Sequence, residues 1–263
     1  MPIPPMRLDD PLPARLVALA GGRPLTEVWH NEIGGLTYRI GDDAYVKWAA
    51  HGGGLDLAAE AARMTWAVAF TPVPIVLDYG RDDDGQWLVT KAIDGTYAVA
   101  DRWKRQPRTA VVAIAEGLRA MHDALPVLEC PFSWSAEERI RSAHALRDAG
   151  ALVGAPSHED FASIDLDTAM RRIGHPPPVD KLVVCHADAC APNTLIGDDG
   201  RWTAHVDLGL LGIADRWADL AIGSWSLTWN YEGDWQRTFF DAYGVEPDRD
   251  RIEYYRLLWE LTP

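Results

Sequence analysis

The chain has 263 residues, enough to bury a substantial core as one large domain or as two lobes. Apolar residues make up 48% of it and 12 are tryptophan, which excludes global disorder; a formal charge of −14 argues against a nucleic-acid binder and favours a cationic ligand. Three cysteines without paired spacing give no disulfide framework, and neither a signal core nor an apolar run near the ~20 residues of a membrane span occurs, so a cytoplasmic protein is expected.

In chain order, residues 13–20 read as a short helix ended by Gly21-Gly22. Strand-like pieces follow at 26–30, 36–40 and 44–48, then a helix over 55–70 and strands at 75–79 and 87–92. This β-β-β-α-β-β pattern is a small α+β unit. Beyond residue 94 helical periodicity dominates, at 109–124, 136–149, 164–173, 216–229, 235–243 and 249–260. The strands expected there are 182–185 and a hairpin formed by 193–197 and 201–206. The predicted organisation is α+β, with a small antiparallel-sheet lobe over 1–94 and a larger, mainly helical lobe over 95–263.

Alternation in Ala44-Tyr-Val-Lys-Trp puts Tyr45 and Lys47 on one face of a strand. Leu57, Ala61, Met64 and Val68 form the apolar stripe of the next helix, and Glu60 flanks that stripe. An ammonium on the sheet beside an inward-leaning carboxylate suggests an ion pair able to hold a lysine for phosphate binding. Taken singly, each is equally an exposed strand lysine and an exposed helix glutamate. Gly34 and Gly35, between the first two strands, permit close backbone approach to a ligand or simply a hairpin turn.

The segment from Val184 to Asp207 carries the densest chemistry. A hairpin closing near Gly200 brings Asn193 at its start beside Asp207 at its end, with Asp188 just upstream. Two carboxylates and an amide oxygen suit a hard divalent cation, and one carboxylate can serve as a general base. Alone, the segment also fits an ordinary acidic turn. Cys185, His186 and Cys190 do not make a zinc site, since no second cluster supplies the remaining ligands.

Together these residues resemble the aminoglycoside phosphotransferase family, which has a two-lobed protein-kinase-like fold. Its H-G-D-x-x-x-x-N pattern and D-x-G segment correspond to His186-Ala187-Asp188-Ala-Cys-Ala-Pro-Asn193 and Asp207-Leu-Gly209, and its D-R-x-x-D-L-A stretch to Asp215-Arg216-Trp217-Ala218-Asp219-Leu220-Ala221. The resemblance is closest in flavour to the 3′- and 3″-hydroxyl phosphotransferases. It implies an enzyme that uses ATP and Mg²⁺, with Asp188 acting on the acceptor hydroxyl, Asn193 and Asp207 holding Mg²⁺, and Lys47 with Glu60 holding the ATP phosphates. His186 and Asp219 become supports of the catalytic loop, Gly34 and Gly35 part of the nucleotide loop, and residues about 88–95 the hinge. The implied partner is a cationic, aminoglycoside-like small molecule, and the implied state a monomer or weak homodimer. A kinase for another small hydroxylated molecule, and a catalytically impaired nucleotide-binding protein, remain the alternatives.

Two departures bear on activity. Ala187 stands where the family usually has glycine, but protein kinases carry arginine there, so a Cβ is expected to be tolerated. Leu210 stands where close relatives usually have arginine, which bears on substrate choice. Seven residues between Asp207 and Asp215 leave no room for an activation loop. By analogy, the carboxylates available for acceptor ammonium groups are Glu159, Asp160, Glu232, Asp234 and Glu260. Trp225, Trp229 and Trp235 are expected chiefly as core of the second lobe, with one or two able to form a sugar-stacking wall.

Overall fold

A computed structural model describes residues 12–30, 35–52, 54–152, 156 and 158–262. The chain divides into two compact units, Met1–Asp94 and Gly95–Pro263.

The first unit opens with α1 (Ala14–Ala20), closed by Gly21 in the left-handed conformation. Strands β1 (Leu25–His30), β2 (Leu36–Ile40) and β3 (Ala44–Ala50), helix α2 (Leu57–Ala67), and strands β4 (Val76–Arg81) and β5 (Gly85–Lys91) follow. The strands form one antiparallel sheet in the order β1-β2-β3-β5-β4. Alternation divides its faces. Leu36, Tyr38, Ile40, Val46, Trp48, Trp87 and Val89 pack with Leu16 and Ala20 of α1, while Lys47 is paired with Leu88 in the opposite set. Helix α2 is started by Asp56, whose side chain accepts the Ala59 N–H at 2.9 Å, and it buries Leu57, Glu60, Ala61, Met64 and Ala67. Glu60 therefore lies within the buried stripe rather than on its flank.

The second unit begins with β6 (Thr96–Tyr97), α3 (Asp101–Lys104) and α4 (Pro107–Ala124), then α5 (Ala136–Asp148), α6 (Leu166–Ile173) and β7 (Leu182–Cys185). The hairpin β8 (Thr194–Ile196) and β9 (Trp202–His205) precedes β10 (Gly212–Asp215), α7 (Trp217–Asn230), α8 (Gln236–Tyr243) and α9 (Arg249–Leu261). Capping carboxylates or hydroxyls start α5 (Ser135), α6 (Asp165) and α9 (Asp248), and Gly244 at φ +87° ends α8. The core is built on α4, α7, α8 and α9, with Trp103, Trp225, Tyr243, Phe239 and Phe240 fully buried.

Two glycines allow the close approaches that position the loop between β7 and β8. A Cβ on Gly117 of α4 would lie 2.4 Å from the Trp202 ring, so the β8–β9 hairpin rests directly on α4. A Cβ on Gly223 of α7 would lie 3.0 Å from the Phe239 ring and 3.4 Å from the Ala189 carbonyl oxygen, so the loop runs tight against α7.

β6 and β10 are additions to the sequence reading. β6 pairs with β8, and β10 lies antiparallel to β7. At two and four residues they are too short to show alternation, and only pairing with distant strands makes them strands. Among the described residues, no helix is long and apolar enough to cross a membrane.

Candidate active site

In the first unit Lys47 and Glu60 meet. The Lys47 ammonium donates to Glu60 Oε1 at 2.7 Å, with the lysine side chain 26% exposed and the glutamate 8%. Strand β3 carries the lysine on the face that α2 covers, and a single helical turn after Asp56 puts the carboxylate in reach. Gly35 is buried, whereas Gly34 lies outside the described residues.

In the second unit the β7–β8 loop carries His186, Asp188 and Asn193. Asn193 Nδ2 donates at 2.9 Å both to Asp188 Oδ2 and to the Asp188 carbonyl, so one amide group fixes the carboxylate and its backbone together. The Val206 N–H donates to the Asn193 carbonyl at 3.0 Å. Asn193 thus faces Val206, and Asp207 follows one residue later rather than standing directly opposite. The register shift between Leu195 and Ile196 inserts an extra residue into β9 relative to a plain hairpin.

Asp207 is exposed and adopts φ +62°. Ala187 adopts φ +72°, and these are the two non-glycine residues with positive φ among the described residues. Backbone strain is thus concentrated in the loop and at the end of the hairpin. Ala187 stands at a position that does use the left-handed region, where a Cβ costs about 1–2 kcal/mol.

The cost is offset by Asp219, which is fully buried at the start of α7. Its carboxylate accepts the His186 N–H at 2.6 Å and the Ala187 N–H at 2.8 Å. It also accepts from His122 Nε2 at 2.9 Å, and the His122 Nδ1 is hydrogen-bonded to the Tyr243 hydroxyl at 2.8 Å. Burial alone would raise the Asp219 pKa; the hydrogen bond from His122 and the electrostatics of the His122 and His186 rings, with the His186 backbone N–H, hold it below the ordinary carboxylate value. His186 in turn donates from Nε2 to the Val206 carbonyl at 2.8 Å, while its Nδ1 accepts the Asp188 N–H at 3.3 Å. His186 therefore bridges the loop to the residue that follows β9.

His122 and Ser226 were absent from the sequence reading. Ser226 Oγ accepts the Ala191 N–H at 2.9 Å and Asn230 Nδ2 at 3.1 Å, tying the loop to the C-terminal half of α7. The available signal was positional: His122 sits among Ile114, Leu118 and Met121 at helical spacing, a polar group in an apolar stripe. Burial pushes the Cys190 thiol well above its usual pKa, and the Asp188 carboxylate beside it adds to the effect. Burial likewise keeps the His205 imidazole well below its usual value. Cys190 is therefore not an activated nucleophile.

The carboxylates proposed by analogy for an acceptor separate into two kinds. Asp160 Oδ2 accepts from Trp225 Nε1 at 3.0 Å and lies 3.9 Å from the Arg256 guanidinium; Glu260 Oε2 accepts the His158 N–H at 3.0 Å. Both fix the segment around His158. Glu159, Glu232 and Asp234 are exposed, and Asp234 also accepts the Gln236 N–H at 3.1 Å. Leu210 is half-buried, and the adjoining Leu211 is fully buried.

The Asn193 amide nitrogen is committed to Asp188, so the groups that could hold a cation beside the hairpin are oxygens, the Asn193 Oδ1 and the Asp207 carboxylate. Such a pair fits Mg²⁺, which binds one or two protein groups and completes its shell with water and phosphate oxygens.

Comparison with known proteins agrees with this geometry. The phosphotransferase enzyme family model matches residues 30–255. An aminoglycoside 3′-phosphotransferase of Streptomyces fradiae is 36% identical over 217 residues, covering 78% of this chain and 80% of its own. A crystal structure of an aminoglycoside-3′-phosphotransferase of type VIII is 31% identical with a TM-score of 0.79, covering 94% of this chain and 97% of that one. The aminoglycoside phosphotransferase APH(3″)-Id of Streptomyces rimosus, solved with ADP and streptomycin, is 28% identical with a TM-score of 0.75 over 94% of this chain and 96% of its own. The fold is the kinase-like α+β fold of these enzymes, and the resemblance drawn from the loop motifs is borne out. The chain belongs to the phosphotransferase enzyme family.

Proposed function

We propose that this chain is an ATP-dependent O-phosphotransferase that moves the γ-phosphate to a 3′ or 3″ hydroxyl of an aminoglycoside, a reaction that confers resistance. The observation that carries the reading is the Asp188–Asn193 arrangement, in which the Asn193 amide nitrogen orients the Asp188 carboxylate. Similarity to enzymes named for aminoglycosides supplies the acceptor class.

In this reading the unit before residue 95 holds the nucleotide and the unit after it carries catalysis and acceptor binding. The Lys47 ammonium, braced by Glu60, binds the α- and β-phosphates, and Gly34 and Gly35 allow backbone approach to them. Asn193 and Asp207 would hold Mg²⁺, which would neutralise charge on the phosphoryl oxygens. Asp188 orients the acceptor hydroxyl and takes its proton. The hydroxyl oxygen forms a bond to the γ-phosphorus as the bond from that phosphorus to the β–γ bridging oxygen breaks, releasing ADP. There is little covalent work for the protein, so positioning dominates. His186 and Asp219 provide it by fixing the loop from both sides.

The test is phosphate transfer from Mg²⁺-ATP to a panel of aminoglycosides by wild type and Asp188→Ala. The expected result is turnover in the wild type that falls at least about a hundredfold in the variant. Unchanged turnover in Asp188→Ala overturns the mechanism. Phosphorylation of other alcohols but of no aminoglycoside overturns the acceptor class alone.

A further inference from the structure

The catalytic loop is fastened to α7 at Ser226, through the Ala191 N–H at 2.9 Å. Three residues later, near the end of the same helix, stands Trp229. Its neighbours Trp225 and Ser226 are buried, yet Trp229 is 45% exposed. The ring is nonetheless held. Its centroid lies 5.1 Å from Trp225, 6.3 Å from Trp259 and 5.9 Å from the His158 imidazole, and its Nε1 donates to His158 Nε2 at 3.3 Å. A partly exposed indole held in one orientation by its neighbours offers a stacking surface.

The surroundings state the chemistry of that contact. Glu260 holds the His158 backbone from α9, Asp160 holds the Trp225 indole, and the exposed carboxylates of Glu159 and Glu232 lie within a few residues of these aromatic groups along the chain. The whole chain carries a charge of −14. Arg256 already lies over the Trp225 ring, 5.3 Å from its centroid, so this aromatic cluster engages one cation through the ring quadrupole, and an acidic protein favours another.

We propose that Trp229 is a specificity-determining residue whose indole face stacks against an ammonium- or guanidinium-bearing ring of the acceptor. This rests on the proposed phosphotransferase reading and adds to it the side chain that selects the acceptor. The ring is pre-oriented by Trp225, Trp259 and His158, so little side-chain entropy is lost when the acceptor lands. Recognition by a flat face also tolerates variation in the stacked ring, while the carboxylates read its charge.

The experiment compares wild type, Trp229→Phe and Trp229→Ala, measuring aminoglycoside binding by calorimetry alongside kcat and KM for acceptor and ATP. Trp229→Ala is expected to weaken acceptor binding and raise the acceptor KM roughly tenfold, with the ATP KM and the basal hydrolysis of ATP unchanged. Trp229→Phe keeps a ring but loses the indole N–H, and is expected to retain most of the affinity. Equal losses in both variants would reduce Trp229 to an anchor for His158 and overturn the stacking role. Unchanged acceptor affinity in Trp229→Ala, with transfer intact, overturns the proposal while leaving the phosphotransferase reading standing. A wild type that neither binds nor phosphorylates any aminoglycoside overturns both.

Discussion

The Asp219 carboxylate accepts the backbone N–H of Ala187 at 2.8 Å, and Ala187 is held at φ +72°. A buried acid therefore maintains a backbone conformation that alanine disfavours, immediately before the residue proposed to act on the acceptor. Glycine at 187 would relieve about 1–2 kcal/mol of native strain and return about 0.4–1 kcal/mol to the unfolded chain as entropy. Ala187→Gly is expected to raise stability by up to about 1.6 kcal/mol and to leave kcat within a few-fold of wild type. Urea denaturation and steady-state kinetics check this; a marked loss of stability would show that the alanine methyl contributes packing worth more than the strain.

The same carboxylate predicts a pH dependence. Its pKa in the fold lies below the ordinary value because, although burial opposes the charge, His122 and the backbone around His186 favour it. The stability it contributes is then complete above the unfolded carboxyl value of about 4 and is lost as pH falls through the folded value. Asp219→Asn removes the charge, so the gap in unfolding free energy between wild type and variant should be largest above about pH 5 and should close on the acid side. Denaturation at a series of pH values measures it. A gap that stays constant with pH would mean that the carboxyl group is not ionised in the fold.

Lys47 and Glu60 make a separable prediction within the first unit. Lys47→Ala leaves the Glu60 carboxylate in a buried stripe without its 2.7 Å partner. Partial exposure of the lysine moderates the penalty, which is expected at about 1–3 kcal/mol. The ATP KM should rise at least about tenfold while the acceptor KM is unchanged. A rise in the acceptor KM alone would remove Lys47 from the nucleotide site.

Much of this was legible because period and punctuation agree locally. The five strands of the first unit and the long helices of the second follow from alternation, apolar stripes, and glycine or capping residues at their ends. The loop motif gave Asp188, Asn193, Asp207 and Asp219 because their spacing is short and fixed. What escaped depends on distance in sequence. His122 reaches Asp219 across 97 positions and Tyr243 across 121, and nothing near His122 in the chain announces either partner. β6 and β10 are strands only because β8 and β7 pair with them. Asp160 and Glu260 read as open charges, yet an indole and a backbone amide from other segments engage them.

Asp207 offers a clean probe of the proposed divalent-cation site, again because of its backbone. At φ +62° most side chains are strained, but asparagine tolerates the left-handed region about as well as aspartate. Asp207→Asn should therefore keep the fold, with a change in stability within about 0.5 kcal/mol, while replacing a charged oxygen ligand with a neutral one. The expected outcome is a fall in kcat of at least about a hundredfold and a higher Mg²⁺ concentration for half-maximal activity. Asp207→Ala adds the backbone penalty and should be the less stable of the two. Titrating activity against Mg²⁺ for the three proteins, with thermal unfolding alongside, separates lost ligation from lost structure. Full activity in Asp207→Asn at unchanged Mg²⁺ demand would move the metal role away from Asp207.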